Sequence, residues 1–325
     1  MHKVLKFRKT AQDILSGLSP LKALIIGPCS IHNIEETFEY AVKLKELEFL
    51  VKDRIFIVLR VFLEKPRTAN SWRGFLHDPD LNGSLDLEKG IKLSKKLLDG
   101  LLQLELPLAT EFIDPCLAQL LERFITWGFI GARTTRSPTH RQLAAFLKMP
   151  IGFKNPLDGD LHALTQAIDV AKAPHQALCT NSDLCLEIKK TQGNPFCHSV
   201  LRGSFQGPNY HMAKHLHDPL IIDCAHGNSG KTLNGMIEAF TNSSHLAASY
   251  PHIKGLMPES FLNAGKQTVI GDKGLSLTDP CLSFAETKSL VLDFYKLLSQ
   301  SQGSSSALME SSFRSTSSET LISLV

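Results

Sequence analysis

Several things are missing from this 325-residue chain, and each absence narrows its class. No apolar run approaches the roughly 18 to 20 residues that a membrane-spanning helix needs, so no membrane partner is expected. The N-terminal MHKVLKFRKTAQD lacks the apolar core of a secretion signal, which argues for a cytoplasmic protein. The cysteines, Cys29, Cys116, Cys179, Cys185, Cys197, Cys224 and Cys281, are odd in number, scattered, and never spaced as CxxC. That excludes a zinc ribbon and a disulfide framework and fits thiols kept reduced in a cytosol. Charge of one sign is missing too: a net charge of +3 is too small to point to nucleic acid. What remains is an ordinary globular composition, 43% hydrophobic and 21% charged, with enough apolar residues for one large core.

What is present alternates. Short apolar, β-branched runs are followed by stretches of helical period. The runs predict strands at Ala23 to Gly27, Ile55 to Val61, Pro107 to Phe112, Phe129 to Arg133, Ile151 to Lys154, Ser199 to Arg202, Leu220 to Asp223 and Gly255 to Glu259. After the first, Asn33 predicts an N-cap, with Glu36 three residues on as in a capping box. The rhythm breaks at Gln176 to Val200, which reads as an inserted β-hairpin between strands five and six, with Thr191-Gln192-Gly193-Asn194 near its return. A last helix carries Leu290, Phe294, Leu297 and Leu298. Eight strands alternating with helices predict a (β/α)₈ TIM barrel with a short N-terminal extension, one catalytic domain over 1–298. From 299 to 325 the chain is Ser-rich and is expected to be a flexible tail. A doubly wound sheet is the rival, but no G-x-G-x-x-G or P-loop follows any strand.

The chemistry lies in what ends each strand. Cys29 follows strand one, Arg60 ends strand two with Lys65 and Arg67 beyond, Glu111 ends strand three, and Arg133 strand four. Lys154 ends strand five, Arg202 strand six, Asp223 and His226 strand seven, and Glu259 strand eight, with Asp279 in the next loop. In a barrel these ends meet on one face, where catalytic groups sit. A polar residue at one strand end is usually a solvated loop start; a full circle of them is hard to assign that way. Cys29, His226, Glu259 and Asp279 offer sulfur, nitrogen and two carboxylates, a mix that suits a divalent transition metal better than Mg²⁺ or Ca²⁺. Arg60, Lys65, Arg67, Arg133, Lys154 and Arg202 would repel one another in one mouth unless anions fill it, so small phosphorylated substrates are expected.

The same residues carry a resemblance. The stretches IIGPCSIHN (25–33), LRVFLEKPRTANSWRG (59–74), ATEFIDP (109–115), IGARTTRSPTHRQLA (130–144), GFKN (152–155), TQGN (191–194), CHSVLRG (197–203), PNY (208–210), IIDCAHGNSGK (221–231), MPESFLNAG (257–265) and SLTDPC (276–281) run in order from about residue 20 to 298. Together they resemble class I 3-deoxy-D-arabino-heptulosonate 7-phosphate (DAHP) synthase, which condenses phosphoenolpyruvate with erythrose 4-phosphate and water at the head of the shikimate pathway.

The resemblance implies that Cys29, His226, Glu259 and Asp279 bind the metal, Mn²⁺ first, with Fe²⁺, Co²⁺ or Zn²⁺ also suited. It implies that Arg133, Lys154 and Arg202, with Arg60 and Lys65, hold phosphoenolpyruvate, while Arg67 and Thr68 face erythrose 4-phosphate. Glu111 lies near the water that attacks the enol carbon, and Glu111 or a water on the metal is the candidate for activating it. Lys65, Glu111, His226 and Asp279 are thus the candidate catalytic residues, in a homo-oligomer, dimer or tetramer. A sister enzyme that uses arabinose 5-phosphate carries a motif like Lys-Ala-Asn-Arg where this chain has Lys65-Pro66-Arg67-Thr68. A third reading is a non-catalytic metal- or anion-binding barrel, against which the intact ligand and cation sets speak.

The chain also departs from the family pattern. Arg136 replaces an acid after ARTT, Pro156-Leu157 replace Gly-Thr after Asn155, and Pro258 and Phe261 alter the surroundings of Glu259. Only nine residues separate Tyr210 from Leu220, so helix six is expected to be cut short. Many relatives are inhibited by aromatic amino acids near the N-terminal arm and the hairpin. Phe146, Lys148, Ala177 and Cys179, with a short arm, predict weak or absent inhibition here.

Overall fold

Residues 2–67, 71–180, 186–268 and 271–316 are described by the structure, a computed structural model, with the side chains of 179–180 and 302–316 excepted. Helix α1 (His2–Ser16) precedes β1 (Lys22–Ile26), α2 (Ile34–Val51), β2 (Ile55–Arg60), α3 (Leu87–Gln103), β3 (Leu108–Glu111) and α4 (Pro115–Leu121). Then come β4 (Trp127–Ile130), α5 (Pro138–Phe146), β5 (Ile151–Lys154), α6 (Leu161–Lys172) and the hairpin β6 (His175–Thr180) and β7 (Leu186–Thr191). The barrel resumes with β8 (Cys197–Leu201), β9 (Leu220–Asp223), α7 (Leu233–Ser249), β10 (Ile253–Met257) and α8 (Phe284–Thr316). Around the closed barrel the order is β1-β2-β3-β4-β5-β8-β9-β10, every pair parallel, with β6-β7 a separate antiparallel pair. This is the expected (β/α)₈ barrel with its insertion between the fifth and sixth barrel strands.

Local chemistry starts the helices. Asn33 caps α2 by accepting from the Glu36 amide (3.0 Å), as its sequence predicts. The capping box is only half formed, because the Glu36 carboxylate turns away to accept from the Gly274 amide (3.0 Å). Asp86, Asp114, Asp160 and Thr232 cap α3, α4, α6 and α7 in the same way, and Pro115 and Pro138 open α4 and α5 where a missing N–H costs nothing.

Two layers of apolar side chains follow from strand alternation. Leu24, Ile26, Ile57 and Leu59 point outward under the helices, while Ala23, Ile25, Val58, Ala109, Trp127, Phe129, Val200, Ile221 and Met257 fill the barrel. Helix α1 adds Ala11 and Leu15 to that interior cluster, so it plugs the N-terminal end. Arg8 fixes it there, donating to the carbonyls of Ile125 (2.9 Å) and Glu122 (2.5 Å).

Several sequence expectations shift. The fourth strand ends at Ile130, not Arg133, because the chain turns at Gly131, whose carbonyl takes the amides of Thr134 and Thr135. The hairpin returns between Thr180 and Leu186; Thr191–Asn194 is its exit, where the Asn194 amide group bonds the carbonyls of Ala144, Leu147 and Met149. Helix six is indeed reduced, to one 3₁₀ stretch at Tyr210–His215. Helix α8 continues across residue 299 to Thr316. Phe146 is half-buried and Lys148 exposed, and the Cys179 side chain lies outside the described set. Among the described cysteines, Cys29, Cys116, Cys197, Cys224 and Cys281 are free. No described helix is long and apolar enough to cross a membrane.

Candidate active site

Stepping two residues up each inward row reaches one ring of eight positions: Gly27, Arg60, Glu111, Gly131, Lys154, Arg202, Asp223 and Glu259. Alternation therefore turns all of them toward the axis, on the layer above the apolar fill. Six are ionisable and buried. The two glycines make room for their neighbours. A Cβ on Gly131 would collide with the Glu111 carboxylate, and one on Gly27 would come 2.8 Å from the Arg60 carbonyl oxygen.

Buried charges need partners, and most of these have them. Arg60 Nη2 donates to Glu259 Oε1 at 2.8 Å. Lys154 Nζ lies 3.4 Å from Glu111 Oε2 and 3.3 Å from Asp223 Oδ2. The Phe62 ring lies 4.1 Å from the Arg60 guanidinium, a cation–π contact. Open donors remain. Arg60 Nε and Nη1 are buried without a partner. Arg202, buried, and Arg133, exposed on the turn after β4, have no ion pair among the described residues. Burial lowers the Arg202 pKa, and Arg133 adds to this, with Asp223 and Glu111 opposing. Buried donors left open mark a place for an acceptor from outside.

Glu111 and Asp223 are held ionised. Burial pushes Glu111 upward, but Lys154, Lys65, His226 and Arg60 outweigh it and leave its pKa lowered. Asp223 is pushed up by burial and pulled far down by His226 and Lys154.

Beside this ring, Cys29 Sγ, a Glu259 oxygen and an Asp279 oxygen lie within 4.8 Å of one another. His226 stands next to that group and outside it: its Nδ1 bonds Asp223 Oδ1 (3.1 Å), which leaves Nε2 3.7 Å from Glu259 Oε1. An anchored Nδ1 is the usual support for an imidazole that ligates through Nε2. His226 also holds a left-handed backbone (φ 56°), a strain that persists where surrounding structure fixes it. Burial raises the Cys29 thiol, Glu259 raises it further, and Lys65 opposes, its Nζ 3.2 Å from Sγ. A thiol, two carboxylates and an imidazole nearby are a donor set that fits a divalent transition metal.

A cavity of about 950 Å³ opens above the ring, lined by Arg60, Lys65, Arg67, Glu111, Arg133, Lys154, Arg202, His226 and Asp279. The sequence-predicted residues are thus brought together, except that Cys29 and Glu259 lie below the lining and Thr68 lies outside the described residues. Arg67 is exposed at the rim, with Nε on the Trp72 carbonyl (2.9 Å). Two cations of the lining were not singled out from sequence. Lys231 bonds Asp279 (3.0 Å), and Lys266 stands on the loop after β10. Lys231 ends the IIDCAHGNSGK stretch, which is the signal that could have found it; nothing in the sequence marks Lys266.

Comparison with known proteins shows the family. The DAHP synthetase I family model matches residues 6–291. The Trp-sensitive phospho-2-dehydro-3-deoxyheptonate aldolase of Buchnera aphidicola subsp. Baizongia pistaciae is 39% identical over 307 residues, covering 90% of this chain and 88% of the relative. The Tyr-sensitive enzyme of that name from Escherichia coli K12 is 38% identical over 306 residues, covering 89% and 86%. The structure of phospho-2-dehydro-3-deoxyheptonate aldolase from Francisella tularensis SCHU S4 superposes with a TM-score of 0.88 at 38% identity, covering 92% of each chain. With most of its length matched and identity well above 30%, the chain belongs to the DAHP synthetase I family.

Proposed function

We propose that this protein condenses phosphoenolpyruvate with erythrose 4-phosphate and water to give DAHP and phosphate, the first step of the shikimate pathway. The observation that carries this reading is one cavity that joins open Arg60, Arg133 and Arg202 donors to the Cys29, Glu259 and Asp279 group. The fit of that donor set supports Cys29, Glu259, Asp279 and His226 Nε2 as holders of a divalent transition metal, with Mn²⁺ the first choice. Such an ion, when bound, supplies a Lewis acid for the aldehyde oxygen.

The chain's own residues do the rest. Arg202, Arg133 and the free N–H groups of Arg60 receive the phosphate and carboxylate of phosphoenolpyruvate, with Lys154 and Lys65 beside them. Fixing two anions that would otherwise repel removes much of the entropic barrier to their meeting. The enol carbon attacks the aldehyde, positive charge develops on the adjacent carbon, and water adds there. Glu111 is the base for that water in this reading. Alone it is a weak base, since Lys154, Lys65 and Arg60 lower its pKa. Phosphoenolpyruvate brings negative charge to those cations and so restores basicity when substrate is present. Phosphate then leaves from the hemiketal.

Product analysis tests the reading. DAHP should form from phosphoenolpyruvate and erythrose 4-phosphate, and arabinose 5-phosphate should be a poor replacement. Preference for arabinose 5-phosphate, or no product from either, would overturn it.

A further inference from the structure

The barrel order sorts the cations of the cavity onto two walls. Around the ring, β1 stands opposite β5. Arg133 and Arg202 rise from β4 and β8, the strands either side of β5. Arg67 and Lys266 stand on the loops after β2 and β10, the strands either side of β1, and line the same cavity. We propose that Lys266 is a substrate-binding residue that takes the phosphate of the aldose, beside Arg67, and makes the enzyme select phosphorylated aldehydes. This rests on the condensation reading and assigns the far wall of the same site.

Three observations support it. Lys266 is fixed in place by its backbone, through a bridge to Ser276, while its neighbour Gly265 pairs with Cys281 (amide to carbonyl, 2.8 and 3.1 Å). Cys281 is two residues from Asp279, so the lysine is carried by the same loop as one member of the Cys29, Glu259 and Asp279 group. The other cations on this wall are engaged: Lys65 with Cys29, Lys231 with Asp279, and Arg67 Nε with the Trp72 carbonyl. Lys266 has no ion pair among the described residues. Third, the charges require separation. Two phosphorylated substrates repel, and anchoring their phosphates on opposite walls lets the reacting carbons meet in the middle. An aldose bound by its phosphate at Lys266 and Arg67 would point its aldehyde inward, toward the β1 and β10 ends where Cys29 and Glu259 lie.

Steady-state kinetics on Lys266→Ala and Lys266→Arg test this. Lys266→Ala should lower kcat/KM for erythrose 4-phosphate about ten-fold, the scale of one lost charge-assisted hydrogen bond, through KM. The KM for phosphoenolpyruvate should stay within about two-fold, and Lys266→Arg should recover most of the loss. Unphosphorylated erythrose, used equally poorly by both proteins, should show no penalty. An unchanged KM for erythrose 4-phosphate, an equal rise in both KM values, or the same penalty on unphosphorylated erythrose would overturn the assignment while leaving the condensation reading intact. A wild-type protein that makes no DAHP would overturn that reading, and this proposal with it.

Discussion

Arg202 sits in the buried ring with its charge favoured by Asp223 and Glu111 but bonded by neither. Its guanidinium is thus held ready for an anion, and the side chain costs stability until one arrives. Replacing Arg202 by Ala should weaken phosphoenolpyruvate binding by roughly 2–5 kcal/mol, the cost of stripping one partner from a buried charge pair. Isothermal titration reads this directly, and an unchanged Kd would remove Arg202 from the cradle. At the other end of the barrel His198 is held neutral. Trp127 Nε1 donates to its Nε2 (3.2 Å), its Nδ1 faces the Phe196 carbonyl (3.0 Å), and burial pulls its pKa down to about 4. The unfolded chain takes up this proton first, near the ordinary value of 6.5. Stability from this group is therefore whole above pH 6.5 and is lost as pH falls toward 4, by ~3 kcal/mol in total. Urea unfolding across that range should show the loss in the wild type, and His198→Gln should flatten it; equal slopes would refute the assignment.

The elements most legible in the sequence are those with an undivided apolar run. The runs at Ile55 and Leu220 each became a strand beginning at that residue, because nothing but burial on both faces suits such a run. The fourth strand was misplaced toward Arg133, because Gly128 interrupts its run and Gly131 hides the turn. The ring of charged strand ends was legible for the same reason as the strands: ionisable residues closing apolar runs have no place in an ordinary core. The two glycines of that ring carry no chemistry of their own, so only geometry shows what they do. Helix α1 was not foreseen, since lysines and arginines separate its apolar residues and its face becomes visible only against the barrel end. Ile14, fully buried in α1, offers a test. Ile14→Ala should cost roughly 2–5 kcal/mol of unfolding free energy, while a change near zero would mean that α1 does not stopper the barrel.

At the scale of the whole molecule, the closed ring brings together residues that are far apart in sequence. Cys29 and Asp279, 250 positions apart, come within metal-ligand reach because β1 and β10 are neighbours. The same closure sets Arg133 and Arg202 across from Arg67 and Lys266, which gives two anionic substrates separate seats over one reactive centre. No local motif contains this arrangement, which is why spacing along the chain suggested the ligand set only through the barrel. The proposed reaction needs the donor group and both seats. It is tested most directly by phosphate release from chelator-treated protein given phosphoenolpyruvate alone, erythrose 4-phosphate alone, or both, before and after Mn²⁺ is restored. Phosphate should appear only when both substrates and the metal are present; release from phosphoenolpyruvate alone, or full turnover after exhaustive chelation, would contradict the proposed reaction.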